Sequence, residues 1–387
     1  MTTSTLNLPT TIAFGAGASR ELPRHVQGLG KRHALIVTDP FFATCGLADD
    51  FLALLSRNNI GSTLFSGVQP DPTDTNVRAG LSVYRECGAD LVIGLGGGSS
   101  IDAAKVISML TANPEPMRAY MGYHKVPCAG VPLIAIPTTA GTGSEATRVA
   151  VITDTEHHEK MMMLSGHLMP TVALVDFELS MSMPKPLTAH VGIDTLTHAI
   201  EAYVSRKANS MTDPIALSCI ALTASNLPTA WREPGNRKAR EAMSIAACQG
   251  GMAFSNASVA LVHGMSRPVG AVYHVPHGLS NAVLLPTVTK FSLSGAPERY
   301  AIVARTMGLA SGADDDKSAA HKLVGGLEQL NEELEIPRLR DCVGAGREAF
   351  ERSLDKLAAD ALASGSPQNN PLVPTAQQIV ALYQEAW

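Results

Sequence analysis

The chain has 387 residues, of which 45% are apolar and only 17% charged, with a formal net charge of −5. That length predicts two compact lobes with sizeable cores, and the acidic balance supplies no basic field for nucleic acid or an anionic membrane surface. The first nine residues lack a signal-peptide pattern, no run approaches the length of a membrane span, and the low charge leaves room for a buried subunit interface. Six dispersed cysteines, at 45, 87, 128, 219, 248 and 342, form no CxxC pair. They predict reduced, mostly buried thiols in a cytoplasmic protein and are poor metal-ligand candidates.

In chain order, His33–Asp39 reads as a buried strand and Phe41–Ser56 as helical. Ser62–Phe65 is a shorter strand, and the stretch after Asp74 is helical. Leu91–Leu95 is a third strand, followed by glycines and a helix over Ser100–Leu110, and Val131–Pro137 is a fourth. Strand–helix alternation of this kind predicts a parallel sheet with helices on both faces. Thr155-Glu-His-His-Glu159, with His157 and His158, reads as an exposed hairpin and Met161–Met163 as strand packing. Beyond Pro184 the apolar spacing is helical over Thr188–Ser205, Asp213–Ala224 and Arg237–Ser255. The expected division is therefore an α/β domain at 1–184 and an all-α domain at 185–387, with Met181–Pro186 as hinge. Arg237–Arg240 reads as a solvated helix face, and Ser364–Pro374 as a loop before the last helix.

Two loops carry cofactor signals. Gly94-Leu-Gly-Gly-Gly-Ser-Ser-Ile-Asp-Ala-Ala-Lys105 joins a strand to a helix through consecutive glycines. There the backbone can approach a phosphate, and the helix N-terminus offers N–H groups. The spacing is neither a Walker A loop nor GxGxxG, and a tight capped turn is the alternative. Pro137-Thr-Thr-Ala-Gly-Thr-Gly-Ser-Glu145 follows another strand, and a capped helix start at Ser144 is its plain reading. In open α/β sheets, ligands bind at the carboxyl ends of strands, so the two loops are expected to face one dinucleotide. Asp39, at a strand end, can bind ribose hydroxyls and repel a 2′-phosphate, favouring NAD over NADP.

The metal signal lies further on. Asp194 and His198, i and i+4 in a helical stretch, share one face. His263 and His277 bracket a segment whose glycines and prolines forbid one uninterrupted helix, so the two can fold towards each other. One carboxylate and three imidazoles suit Fe(II) or Zn(II), leaving a position for a substrate oxygen.

GGGSSIDAAK, PTTAGTGSE, GIDTLTHAIEAYVS and HVPHGLSNAVLLP, in this order and spacing, resemble the motifs of the group III, iron-containing alcohol dehydrogenases. The resemblance covers nearly the whole chain. It implies a dinucleotide-binding α/β lobe, an all-α lobe in a dehydroquinate synthase-like architecture, and a cleft between them. It implies Asp194, His198, His263 and His277 as metal ligands. Gly97, Gly98, Ser99 and Asp102 would hold the pyrophosphate, with Thr138, Thr139 and Thr142 beside the cofactor. Lys160 would contact the nicotinamide ribose, Asp39 the adenosine ribose, and Leu187 would pack near adenine. The pattern departs where the family often has a histidine four residues after the third ligand, here Arg267. It departs also at Asp71 of Pro70-Asp-Pro72 and at Asp176-Phe177.

The reaction so implied is reversible hydride transfer between NAD and a small primary alcohol or its aldehyde, with a divalent metal, Fe2+ or Zn2+, as Lewis acid. Arginine stays protonated and relays protons poorly, so Arg267 is a candidate for binding an anionic substrate group, or it pairs outward with a surface acid. The proton is then expected to leave through ribose hydroxyls and water, with His274 as a candidate relay. A homodimer or larger homo-oligomer is expected. Two rival readings are a zinc- and NAD-dependent lyase or synthase of the same architecture, and a non-catalytic metal- or nucleotide-binding protein.

Overall fold

The structure, a computed structural model, describes residues 4–157 and 159–387. His158, expected on an exposed hairpin with His157, lies outside the described residues. The chain forms two compact units, one of residues Asn7–Met181 and one of residues Ser182–Trp387 together with the described residues before Asn7.

The first unit carries nine strands: β1 Thr11–Phe14, β2 His33–Val37, β3 Gly61–Phe65, β4 Leu91–Gly96, β5 Gly122–Tyr123, β6 Leu133–Pro137, β7 Val149–Asp154, β8 Glu159–Leu164 and β9 Val172–Val175. Its helices are α1 Leu22–Gly28, α2 Pro40–Thr44, α3 Leu47–Arg57, α4 Asp74–Cys87 and α5 Gly98–Leu110. Six strands form a parallel sheet in the order β1-β9-β6-β4-β2-β3.

Both faces of the sheet are covered at its centre, which is why the inner strands β2, β4, β6 and β9 are continuous apolar runs rather than alternating ones. Leu35 and Val37 turn one way, into a core shared with Val77 and Leu81 of α4 and Ala103 and Ile107 of α5. Ala34 and Ile36 turn the other way, against Leu22 and Val26 of α1 and Phe51 and Leu55 of α3. Each such aliphatic side chain contributes about 1.5–3 kcal/mol by leaving water. Strands β1, at one edge of the sheet, and β9, between β1 and β6, are additions to the expected elements, both short. The helical stretch expected over Phe41–Ser56 is two helices, because the chain breaks at Cys45–Gly46, with Gly46 at φ 89°. A second sheet, β5-β8-β7, includes the antiparallel pair β7–β8, with Met161 and Met163 buried in it.

The second unit is helical: α6 Lys185–Val204, α7 Asp213–Arg232, α8 Arg237–Ala257, α9 Leu261–Tyr273, α10 His277–Ser292, α11 Pro297–Thr306, α12 Asp316–Glu333, α13 Leu339–Cys342, α14 Arg347–Ala363 and α15 Ala376–Ala386. Helix α6 packs on α7, α8 and α10. Among the described residues no single helix is long and apolar enough to cross a membrane.

Two expectations are corrected. All six cysteines are free, but only Cys219 and Cys248 are buried, while Cys45 and Cys128 are exposed. Arg240 is not solvated: it is 1% exposed and donates to Thr188 Oγ1 at 2.9 Å, Met183 O at 3.1 Å and Pro234 O at 3.1 Å. It thereby ties the start of α6 to α8. The stretch Ser364–Pro374 is a loop before the last helix, as expected, with one 3-10 turn at Pro367–Asn369. Asn369 donates to Ser258 Oγ and Val259 O, pinning the segment to the α8–α9 junction.

Candidate active site

Within the α/β unit, the cofactor candidates gather at the carboxyl ends of three adjacent strands. Asp39 follows β2, Gly97 to Ser99 follow β4, and Thr138 to Thr142 follow β6. Asp39 caps α2, its Oδ1 accepting from Phe41 N at 2.9 Å and Phe42 N at 3.2 Å. Its Oδ2 points towards Gly96, 3.7 Å from where a Cβ would stand. Gly97 is the N-cap of α5 with no side chain on its first N–H groups. A Cβ on Gly98 would meet Thr142 at 3.0 Å, whereas one on Gly97 would be in ordinary contact with Thr139 at 3.5 Å. The two loops are therefore in contact.

Three buried hydroxyls at these strand ends, Thr38 Oγ1, Ser100 Oγ and Thr138 Oγ1, have no hydrogen-bond partner in the protein. Buried polar groups are normally satisfied, so this is the pattern of a site that expects a polar ligand. Asp102 behaves differently: its oxygens accept from Ser144 Oγ at 2.6 Å and Val151 N at 2.9 Å, within the fold. Lys160 Nζ donates to Asp71 Oδ1 at 2.6 Å, which joins that lysine to one of the positions departing from the family pattern.

In the helical unit, Asp194 and His198 share the buried face of α6. His263 comes from the first turn of α9 and His277 from the first residue of α10. Helix α9 continues through Pro268 and stops at His274, which adopts the left-handed conformation at φ 56°. The break that turns His277 back thus falls at His274–Pro276. Helix α10 begins tight against α6, where a Cβ on Gly278 would stand 2.7 Å from His190 O.

The result is a convergence. Donor atoms of Asp194, His263 and His277 all lie within 4.8 Å of one another. From Asp194 Oδ1, Nε2 of His263 is 3.5 Å away, of His198 3.8 Å and of His277 4.0 Å. His198 stacks on His263 with ring centroids 4.6 Å apart and on Phe254 at 4.2 Å. Burial pushes His198 down to about 3, so its ring is neutral, as a ligand must be. Burial opposes ionisation of Asp194, yet the surrounding imidazoles hold its carboxyl below the usual range.

Two residues of this site, Glu201 and Asn281, were not among the candidates singled out from the sequence. Glu201, 3% exposed, accepts from His263 Nδ1 at 2.7 Å and from Ala260 N and Val262 N at 2.9 and 2.6 Å. It orients the His263 ring with Nε2 aimed inward at Asp194, the role a carboxylate plays behind a metal-bound histidine. Its spacing of seven from Asp194 on one helix face is the only clue. Asn281 Nδ2 lies 2.6 Å from Asp194 Oδ1, 3.1 Å from His263 Nε2 and 3.3 Å from His277 Nε2. An amide nitrogen, with its positively polarised hydrogens, thus sits among three donors that a cation would satisfy, and Asn281 Oδ1 has no partner. The residues present fit a divalent metal.

The remaining candidates stand around this cluster or apart from it. Arg267, half-buried and one turn after His263, donates to Ser366 Oγ at 2.9 Å, and its charge acts on His198. It makes no outward surface pair through that bond, since Ser366 is itself buried. His274 is exposed and is not among the converging donors. Leu187 lies in the first turn of α6, 37% exposed.

Comparison with known proteins agrees with this geometry. Residues 9–177 match the family model for iron-containing alcohol dehydrogenase, and residues 188–387 match that for the C-terminal part of the same family. The chain is 37% identical over 379 residues to the NAD-dependent methanol dehydrogenase of Bacillus methanolicus, covering 98% of each protein. It is 38% identical over 380 residues to the lactaldehyde reductase of Escherichia coli strain K12, covering 97% of this chain and 98% of that one. A crystal structure of 1,3-propanediol oxidoreductase superposes with a TM-score of 0.96 at 37% identity, over the full length of both chains. Two matched halves, a parallel dinucleotide-type sheet and a carboxylate–histidine cluster in the helical part lead to one conclusion: the chain belongs to the iron-containing alcohol dehydrogenase family.

Proposed function

We propose that this chain catalyses reversible hydride transfer between NAD and a small primary alcohol or its aldehyde, with a divalent metal, iron in the cell, held by Asp194, His198, His263 and His277. The observation that carries the reading is the convergence of Asp194, His263 and His277 donors on the Asn281 amide nitrogen. When bound, the metal supplies Lewis acidity at the substrate oxygen and NAD supplies or accepts the hydride.

The chain's own residues supply position. Glu201 holds His263 in one tautomer, and His198 stays neutral between Phe254 and His263. We assign Gly97, Gly98 and Ser99 to the pyrophosphate, where the start of α5 offers bare N–H groups. Thr138, Thr139 and Thr142 stand beside the cofactor, and the unpartnered Thr138 hydroxyl supports this. Asp102 would act on the pyrophosphate region indirectly, by fixing Ser144. By likeness to the family, Asp39 reads the adenosine ribose, Leu187 packs near adenine and Lys160 meets the nicotinamide ribose. His274, exposed at the end of α9, is the candidate that passes a proton to solvent, and Arg267 the one that selects substrates by charge.

A cytoplasmic homo-oligomer is the setting we propose, supported by six free thiols and a low charge content. Neither nucleic acid nor a membrane is proposed as a partner of an acidic chain. Metal analysis of the purified protein, with NADH absorbance on a panel of small alcohols and aldehydes, tests the proposal. His277→Ala is expected to lose most metal and nearly all turnover while still binding NADH. Full metal content and turnover in that variant would refute the ligand assignment.

A further inference from the structure

The two loops assigned to NAD are joined beneath their surface by a buried charge. Lys105 lies two turns into α5 and is 1% exposed. Its Nζ donates to Ser144 Oγ at 2.8 Å, Thr147 Oγ1 at 2.8 Å and Val149 O at 2.7 Å. An ammonium has three hydrogens, and all three are used. Ser144 Oγ passes the polarity on, donating to Asp102 Oδ1 at 2.6 Å, while the direct Nζ–Oδ1 separation is 3.6 Å. Ser144 N donates to Thr142 Oγ1 at 3.3 Å, and Thr142 is the residue a Cβ on Gly98 would touch. An unbroken path therefore runs from Lys105 through Ser144 and Thr142 to the turn that opens α5.

Packing alone does not explain a lysine here. A buried ion pair is often no more stabilising than apolar side chains of the same volume, but it permits far fewer geometries. We propose that Lys105, bridged to Asp102 by Ser144, is a positioning residue for the cofactor, fixing the spacing between the Gly97–Ser99 turn and the Thr138–Thr142 loop so that both meet one dinucleotide. The inference rests on the reading that these loops hold NAD.

The charges facing Nζ are Asp102 on α5 and Glu145 in the turn Ser144–Ala146. His167, from the turn Gly166–Leu168, shares with Lys105 a cavity of about 130 Å³. Burial pushes the lysine down to about 8 against the pull of both carboxylates. Loss of its proton leaves two hydrogens for three acceptors, so the clasp loosens as pH rises through that value.

The test is NADH affinity of the full-length protein by fluorescence, from about pH 6.5 to 9.5, together with steady-state kinetics in NAD. Lys105→Met is expected to weaken NADH about tenfold near pH 7, with the loss in KM for NAD rather than in kcat. The wild-type protein should lose affinity above about pH 8, and the variant should lack that step. Ser144→Ala, which removes only the bridging hydroxyl, should shift affinity the same way and serves if Lys105→Met does not fold. Gly97→Val probes the loops themselves, because its Cβ fits the protein at 3.5 Å from Thr139. Weakened NADH in Gly97→Val, with folded Lys105→Met and Ser144→Ala binding as wild type at every pH, would overturn the positioning role while sparing the loop assignment. Unchanged binding in Gly97→Val would overturn the assignment and the inference together.

Discussion

Glutamine in place of Glu201 tests whether the cluster in the helical unit is built for a metal. The carboxylate accepts three hydrogen bonds: Val262 N reaches Oε1, and Ala260 N and His263 Nδ1 reach Oε2. An amide offers only one oxygen. With its NH2 at the Oε1 position, it confronts the Val262 N–H, leaving two donors face to face. With the NH2 at the Oε2 position, it confronts Ala260 N–H and can pair with His263 only if Nδ1 gives up its proton. That proton then sits on Nε2, the atom that faces Asp194 at 3.5 Å. Each unsatisfied buried donor costs about 1–3 kcal/mol of stability. Loss of a carboxylate behind a metal-bound histidine costs about 10–100-fold in metal affinity. The expected result for Glu201→Gln is therefore a folded protein, somewhat lower in Tm, whose metal affinity drops within that range by competition with a chelator. Wild-type metal affinity in the folded variant would show that Glu201 merely caps α9.

Two further substitutions probe selectivity. Asp39→Gly removes the carboxylate directed towards Gly96, and the ratio of kcat/KM for NAD over NADP should fall; an unchanged ratio would count against Asp39 as the ribose reader. Arg267→His should lower kcat/KM for small aldehydes with an anionic tail more than for propanal, since a guanidinium pairs with carboxylate, sulfonate or phosphonate through two parallel bonds. Equal effects on charged and neutral substrates would leave Arg267 as the residue that anchors Ser366.

What was readable in the chain follows its local periodicities. The inner strands β2, β4 and β6 are apolar runs because both faces of a parallel sheet are buried, and composition alone carries that signal, whereas the edge strand β3, Gly-Ser-Thr-Leu-Phe, is only partly buried. Asp194 and His198 share a face because a helix repeats every 3.6 residues. The glycine turn before α5 and the hydroxyl-rich stretch after β6 were legible as loops because glycine and threonine occupy known strand ends. The short strands β1 and β9 carried too few residues for a period, and helix α9 was obscured by Pro268, which its surroundings tolerate inside the helix.

Only the tertiary structure could decide which of these residues meet. His263 and His277 reach Asp194 because α10 packs against α6 without a side chain at Gly278, a contact between positions 88 residues apart in number by Gly278 and His190. Glu201, Asn281, Lys105 and Arg240 are polar residues in helices, and of these Arg240 was expected on a solvated face; each is buried because its partners arrive from distant segments. Helical and strand periods are set by the backbone of a few neighbouring residues. The satisfaction of a buried charge depends on donors and acceptors supplied by other elements, and no local pattern encodes that.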